Sequence, residues 1–574
     1  MKNSFPVHKL NSRHPIRGGM LGLLLVLAAC SPSEPESQGT EPRVRLVTSD
    51  QYLNSLRYIF GSGIELQVEF PPFERTAGLL GNSAVTAGIS NSQLEQVQGA
   101  AASVARQVVD PANRNFLIPC KPAAEDSADN ACAAEFLSKT GRLLYRRPLT
   151  DTELAVFVES AALGAKRLEG FYAGLEVALE AMLLNPNVLL NVERAETDQE
   201  NPDRLRLDAY SLASRLSYFL WNAGPDAKLL DVAATGELQT EDGRARAVDR
   251  MLASPRLVDG MRAFFDDMFR LSDSRSVAKD PTIYPDFKNV TAVAAREQTL
   301  RTVINHLVTE GTDYRSLFTT RSTFMTPDLA ISYEIATPLG WVPYTLPPDS
   351  PRAGLLTQVS FLSLHAHPGR SSPTLRGAAL RETLLCQVVP RPPPDVDFSV
   401  VNNPDSHYPT QRDRVKAHVE NPSCAGCHKI MDPIGLALEN FDGAGRFRLR
   451  ENGALIDASG NLDGVEFKDA VGLAHALQDN PALPQCLVQR IFNYSIGGPI
   501  TDGNQQRAYL DYVNEEFAAA GYRLHDLLRT IALSEAFSRI HESQSVPSDQ
   551  MPNNDERQTT LSPDVEAPIA ELEG

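Results

Sequence analysis

The chain has 574 residues, 42% of them hydrophobic, and a formal charge of −18 at neutral pH. That length holds material for about three or four domains, and the apolar fraction is enough for several cores. So acidic a balance argues against a nucleic-acid surface and against electrostatic docking on anionic lipid; it keeps the chain solvated and could steer a basic redox partner.

At the N-terminus, Lys2, Lys9, Arg13 and Arg17 form a basic run with no acid, followed by the apolar stretch Met20 to Ala29. Ten residues are too few to cross a bilayer as a helix, which takes about 20, so segment 1–29 is expected to be a cleaved signal peptide. Leu27-Ala28-Ala29-Cys30 is similar to a bacterial lipobox. The resemblance implies acylation of Cys30 as the first mature residue, and Ser31 after it implies an outer-membrane address. Removing 1–29 removes four positive charges and no negative ones, which leaves the mature chain near −22. Residues 30–43, opened by a Ser/Pro/Glu run, read as a flexible tether.

Helical periodicity dominates the chain from residue 44 to residue 540, so the expected fold is mainly α, a series of helical domains. The first, 44–115, carries helices over 50–61, stopped by Gly61, and 92–109. The second, 116–200, carries a helix over 133–144, a Thr150/Glu153 capping box opening a helix to about 166, and a helix over 170–184. The third, 201–348, carries helices over 208–222, 240–254, 256–271 and 291–310, then mixed short elements over 319–345; Trp221 reads as core. The fourth, 349–465, has a helix over 373–386, a polyproline II run at Pro390 to Pro394 and a short helix over 412–419. There Asp432-Pro433 is expected to end a turn, with another over 434–441 and a turn-rich ribbon over 453–464. The fifth, 466–540, closes with helices over 469–478, 484–494, 504–519 and 522–533. The acidic segment 541–574 reads as disordered.

Cys424-Ala-Gly-Cys427-His428 carries the chemistry. Two thiols three positions apart can each form a thioether to a haem vinyl group, and the adjacent His428 then becomes an axial ligand. Zinc would need a second Cys/His pair at ligand spacing, and a redox dithiol would need a βαβ context; the sequence offers neither. One covalent haem c is therefore expected, in a C-terminal cytochrome-c-like part, and its attachment outside the bacterial cytoplasm agrees with the signal segment. Of seven cysteines, Cys120, Cys132, Cys386 and Cys486 remain. An even remainder in an oxidising compartment suggests two disulfides, and four cysteines allow three pairings. Cys120–Cys132 is the local choice, and Cys386–Cys486 would then fasten the segment before the motif to a helix after it; buried free thiols are the alternative.

The sixth iron position decides function. Candidates are His418, on the predicted helix before the motif, His365 and His367 on a loop beside Pro368, His407, and Met431. Met431 is too close to His428 to reach the opposite haem face. Asp432, Glu439 and Asp442 read as caps for local backbone in preference to a calcium site. No Ser-His-Asp order, zinc-protease helix or phosphate loop is present.

The stretch Cys424 to Asp442 resembles a multidomain family of cytochrome-c-like proteins of planctomycetes and myxobacteria, built from consecutive domains of unknown function, here in lipoprotein form. Tyr145-Arg-Arg-Pro-Leu-Thr150, Arg215-Leu-Ser-Tyr-Phe-Leu-Trp221, Gly354 to Thr357, Arg376-Gly377 and Tyr522 to Phe537 are similar to the same family. The resemblance supports haem, both cysteine pairs and His418 as sixth ligand, and implies no defined activity. Three functions are open to such a chain: a membrane-anchored, extracytoplasmic monohaem electron carrier with a redox partner protein; a haem peroxidase or oxidase acting on an extracellular substrate; or a non-redox surface-binding lipoprotein. The expected location is lipid-anchored at the outer membrane, facing periplasm or cell surface, with the anchor as the sole membrane contact.

Overall fold

The computed structural model describes residues 33–37, 39–66, 75–85, 88, 90–336, 339–390, 408–420, 422–499 and 503–541. The signal segment, Cys30, residues 391–394 of the proline run, His407 and the tail beyond His541 lie outside the described residues.

The described chain is mainly helical, with a few small sheets. Local signals start the helices. Ser49–Phe60 opens on a Thr48/Gln51 capping box, Asn91–Val109 on a Ser90/Gln93 box, and Asp151–Leu168 on the expected Thr150/Glu153 box. In each, the cap oxygen takes an orphan N–H of the first turn and the third residue returns a bond. Asp208 caps Ala209–Trp221, in which every residue from Ser211 to Trp221 is buried. A helix buried on all sides belongs in the middle of a fold. Trp221 is core, as expected, and its indole N–H donates to Met251 O at 3.0 Å.

Among the described residues two large apolar cores form. One gathers residues between Val47 and Tyr218, from both the 44–115 and 116–200 segments. The other reaches from Leu79 to Ile540 and unites the 201–348, 349–465 and 466–540 segments. Each core therefore draws on more than one of the expected segments. Periodicity marks the apolar face of each helix but not the helix that will cover it.

Strands are short and join distant segments. Val44–Leu46 pairs antiparallel with Leu190–Val192, Val44 opposite Val192. Leu205–Leu207 lies between Ala195–Thr197 and Arg539–Ile540. Asn452-Gly453 and Asp463-Gly464 close two hairpins within and beside the expected ribbon, with φ between 47° and 97° at all four residues, the left-handed backbone that tight hairpin turns require.

The tether expected over 30–43 is docked from Glu34 onward. Glu34 Oε1 accepts the backbone N–H of Glu535 and of Ala536 at 2.8 and 3.3 Å. Thr40 N donates to Arg539 O at 3.1 Å, and His541 N donates to Thr40 O at 3.0 Å. Composition correctly says that such a run cannot build its own core; it does not show that the short helix Glu535–Ser538 presents unpaired N–H groups to it.

Beside these strands lies a buried ion pair. Arg215 donates to both oxygens of Glu193 at 2.9 and 2.6 Å and to Phe537 O at 2.6 Å, with its side chain and that of Glu193 fully buried. Arg45 and the Arg43 backbone N–H also bond Glu193, at 3.2 and 3.1 Å. Burial alone would raise the Glu193 pKa; Arg215 and Arg45 reverse that and hold it below its ordinary value.

Candidate cofactor-attachment site

The whole Cys424 to His428 motif is helical, within Pro422–Gly435. Pro422 suits the first helical position, where its missing N–H needs no partner. The turn does not end at Asp432-Pro433 as expected. The helix runs through Pro433 to Gly435 and continues as the 3-10 turn Leu436–Leu438. Pro433 forfeits a hydrogen bond near the helix end, and packing outweighs that loss.

That packing is close. Helix Pro373–Ala379 crosses the motif helix at backbone contact. A Cβ on Gly377 would lie 2.0 Å from Met431 O, and one on Gly435 would lie 1.7 Å from Pro373 O. Both positions therefore require glycine. Arg381 Nε adds a bond to Ile430 O at 3.1 Å. Both expected disulfides are present, with Cα separations of 5.5 Å for Cys120–Cys132 and 5.2 Å for Cys386–Cys486. The second ties the chain after this crossing to helix Ala482–Ile496.

Cys424 is buried and Cys427 half-buried, and neither is in a disulfide. His428 Nδ1 lies 2.7 Å from Asp432 Oδ2, one helical turn on. The Thr374 hydroxyl donates to Asp432 Oδ1 at 2.7 Å. With Nδ1 facing Asp432 in this way, Nε2 is the nitrogen through which His428 would bind a metal. Two unpaired thiols at thioether spacing and an imidazole oriented through its other nitrogen form a donor set that fits covalent haem.

Beyond the motif the backbone is fixed by charge. Arg376, fully buried, donates to Leu438 O and Phe441 O, each at 2.8 Å, to Asp442 O at 2.7 Å and to Leu362 O at 3.1 Å. Its carboxylate neighbour Glu439 is 3.5 Å away and also bonds Ser371 at 2.6 Å and Arg448 at 3.1 Å. Burial raises the Glu439 pKa; Arg376 and Arg448 oppose the rise without reversing it. Asp442 caps backbone as expected, taking the N–H of Ala444 and Arg446 at 2.9 Å. Asp432 and Glu439 bond side chains as described and are not backbone caps.

The sixth-ligand candidates are scattered. His365 packs edge-on against Phe361 at 4.8 Å between ring centroids. It lines a small cavity with Phe269, Leu271, Thr383 and Leu384, to which the motif helix contributes no residue. Burial, then Arg270, Arg376 and Lys279, push its pKa down to about 3. His367 is half-buried on the same loop, which Lys279 holds by donating to Ser363 O, Ala366 O and His367 O. Met431 is buried on the motif helix itself. His418 belongs to helix Gln411–Val419, packed against the motif helix; its side chain, like the whole of His407, lies outside the described residues. Sequence reasoning misses Thr374 and Lys279, because no local pattern marks either.

Four family models, each described as a protein of unknown function, match consecutive stretches of the chain: DUF1595 over 132–193, DUF1592 over 207–335, DUF1588 over 352–451 and DUF1585 over 463–537. Cys424 to His428 and the helix crossing their helix both fall within the DUF1588 match. The chain is thus built from consecutive domains of unknown function. No curated protein and no solved structure matches it.

Proposed function

We propose that this chain is an extracytoplasmic, monohaem c-type electron carrier held to a membrane by lipid on Cys30. Cys424 and Cys427 form the thioethers, and His428 is the proximal ligand. Bound there, the haem supplies a one-electron couple. The protein's part is to orient His428 through Asp432, to fix the following turn through Arg376, and to hold the crossing helix close. His418 is the sixth ligand in this reading, since its helix packs directly on the motif helix, whereas the His365 cavity has no wall from that helix. A mature charge near −22 suits a basic redox partner. The observation that carries the reading is the pair of disulfide-free thiols beside an imidazole committed through Nδ1.

The carboxylate on His428 also favours a second reading, a haem peroxidase or oxidase, because an anion behind the proximal ligand stabilises oxidised iron. The two readings separate on the spectrum of the purified protein. Low-spin haem that does not bind CO when reduced, and turns high-spin in His418→Ala, supports the carrier. High-spin haem that binds cyanide readily in the wild type supports the enzyme. Haem stain on a denaturing gel should vanish in Cys424→Ala/Cys427→Ala; its persistence would refute attachment at this motif.

A further inference from the structure

Three acidic side chains are buried among the described residues: Glu193, Asp432 and Glu439, at 5, 3 and 2% exposure. Two of them carry guanidinium partners, Arg215 and Arg45 on Glu193, Arg376 and Arg448 on Glu439. Asp432 is the exception. Among the described residues its partners are a hydroxyl, Thr374, and an imidazole, His428. Each oxygen of Asp432 is thus engaged, one by the imidazole at 2.7 Å and the other by the Thr374 hydroxyl at 2.7 Å, so the carboxylate links the crossing helix to His428.

We infer that Asp432 is a positioning residue that, with Thr374, sets the reduction potential of the metal centre bound by His428. The inference rests on the haem reading above. Its logic is electrostatic. A carboxylate accepting the Nδ1 proton makes the ring a stronger donor at Nε2 and stabilises the oxidised over the reduced centre. Thr374 works against this, because its hydrogen bond withdraws charge from the same carboxylate. The Gly377 and Gly435 backbone contacts fix the crossing that delivers Thr374, so the helix packing and the tuning share one structural cause.

The two side chains make opposite predictions. Asp432→Asn keeps an acceptor for the imidazole and removes the charge. At a fixed potential it should raise the reduced-to-oxidised ratio at least about tenfold, a rise of about 59 mV for a one-electron couple. Thr374→Val frees the carboxylate and should move the ratio the other way, by about two- to threefold. The measurement is a spectroscopic redox titration of the full-length haem-loaded protein in all three forms. A loss of local stability would not shift the two midpoints in opposite directions. Equal midpoints in Asp432→Asn and wild type, or shifts of both variants in one direction, overturn the inference and leave the haem reading standing. If Asp432→Asn fails to load, Thr374→Val alone decides, and an unmoved or raised midpoint there overturns it. Wild type without covalent haem overturns both.

Discussion

Among the described residues, the two fully buried arginine–glutamate pairs differ in what the arginine is for. Arg215 meets Glu193 face to face, with two bonds of 2.9 and 2.6 Å, and donates to one backbone carbonyl, Phe537 O. Arg376 stands 3.5 Å from Glu439 and donates to four carbonyls, on Leu362, Leu438, Phe441 and Asp442. The first is an ion pair that joins chain segments far apart in sequence; the second is a backbone clamp with a carboxylate nearby. The acids respond accordingly. Glu193 is held below its ordinary pKa, whereas Glu439 is left above it. A guanidinium has five donors, and how they are divided decides whether the neighbouring acid is fully compensated.

The largest effect is expected at the ion pair. Arg215→Met leaves Glu193 buried with the weaker Arg45 contact and unties Phe537, so unfolding free energy should fall by about 3–5 kcal/mol. Urea denaturation at neutral pH gives the loss, and a change under about 1 kcal/mol would mean that Arg45 compensates Glu193 unaided. Arg376→Met should cost about 2–4 kcal/mol, since four carbonyls lose donors worth about 1 kcal/mol each. It should also differ in kind. The Glu439 pKa is already raised, so part of the Arg376→Met loss should be regained as the pH falls and Glu439 protonates. Arg215→Met should regain less, because Arg45 still favours ionised Glu193. Matching pH dependence in the two variants would erase the distinction.

Both centres are half legible in the sequence. Helix positions are readable because capping boxes, Gly61 and apolar periodicity are local signals, and the ribbon's turns because Asn-Gly and Asp-Gly are. Arg146, Arg215 and Arg376 all stand in stretches that resemble the family, yet the sequence does not say why. In the fold each is buried and bonds backbone carbonyls; Arg146, for instance, reaches Asn187 O and Leu190 O at 2.6 and 2.8 Å. Such a role depends on chain brought from far away, and no window of local sequence contains it. Pro433 misleads for a related reason, because a breaker is visible locally and the glycine-mediated crossing that holds its helix is not. At the candidate site, Cys424, Cys427 and His428 are legible through spacing alone. The Asp432 partner lies at helical i+4 spacing and becomes readable only once the motif is known to be helical, while Thr374 comes from the crossing helix.

The smallest effect separates the two acids themselves. Glu193 has a folded-state pKa below its ordinary value of 4.5, so its contribution is present above about pH 4.5 and is lost as the pH falls. Glu439 has a folded-state pKa above 4.5, so its contribution is present below that value and is lost as the pH rises through the folded-state pKa. Replacing each by Gln removes the titration and keeps an acceptor. Glu193→Gln should cost about 2–3 kcal/mol at pH 7, where a charged hydrogen bond is lost, and the gap should start to close as the pH falls below about 4.5 and vanish only below the depressed folded-state pKa. Glu439→Gln should stay within about 1 kcal/mol of wild type, and the difference should move in favour of the variant between about pH 4.5 and 7. Urea midpoints at several pH values give both slopes. Slopes of the same sign would mean that Arg376 and Arg448 compensate Glu439 as completely as Arg215 and Arg45 compensate Glu193, despite the longer contact and the four carbonyls that share the Arg376 donors.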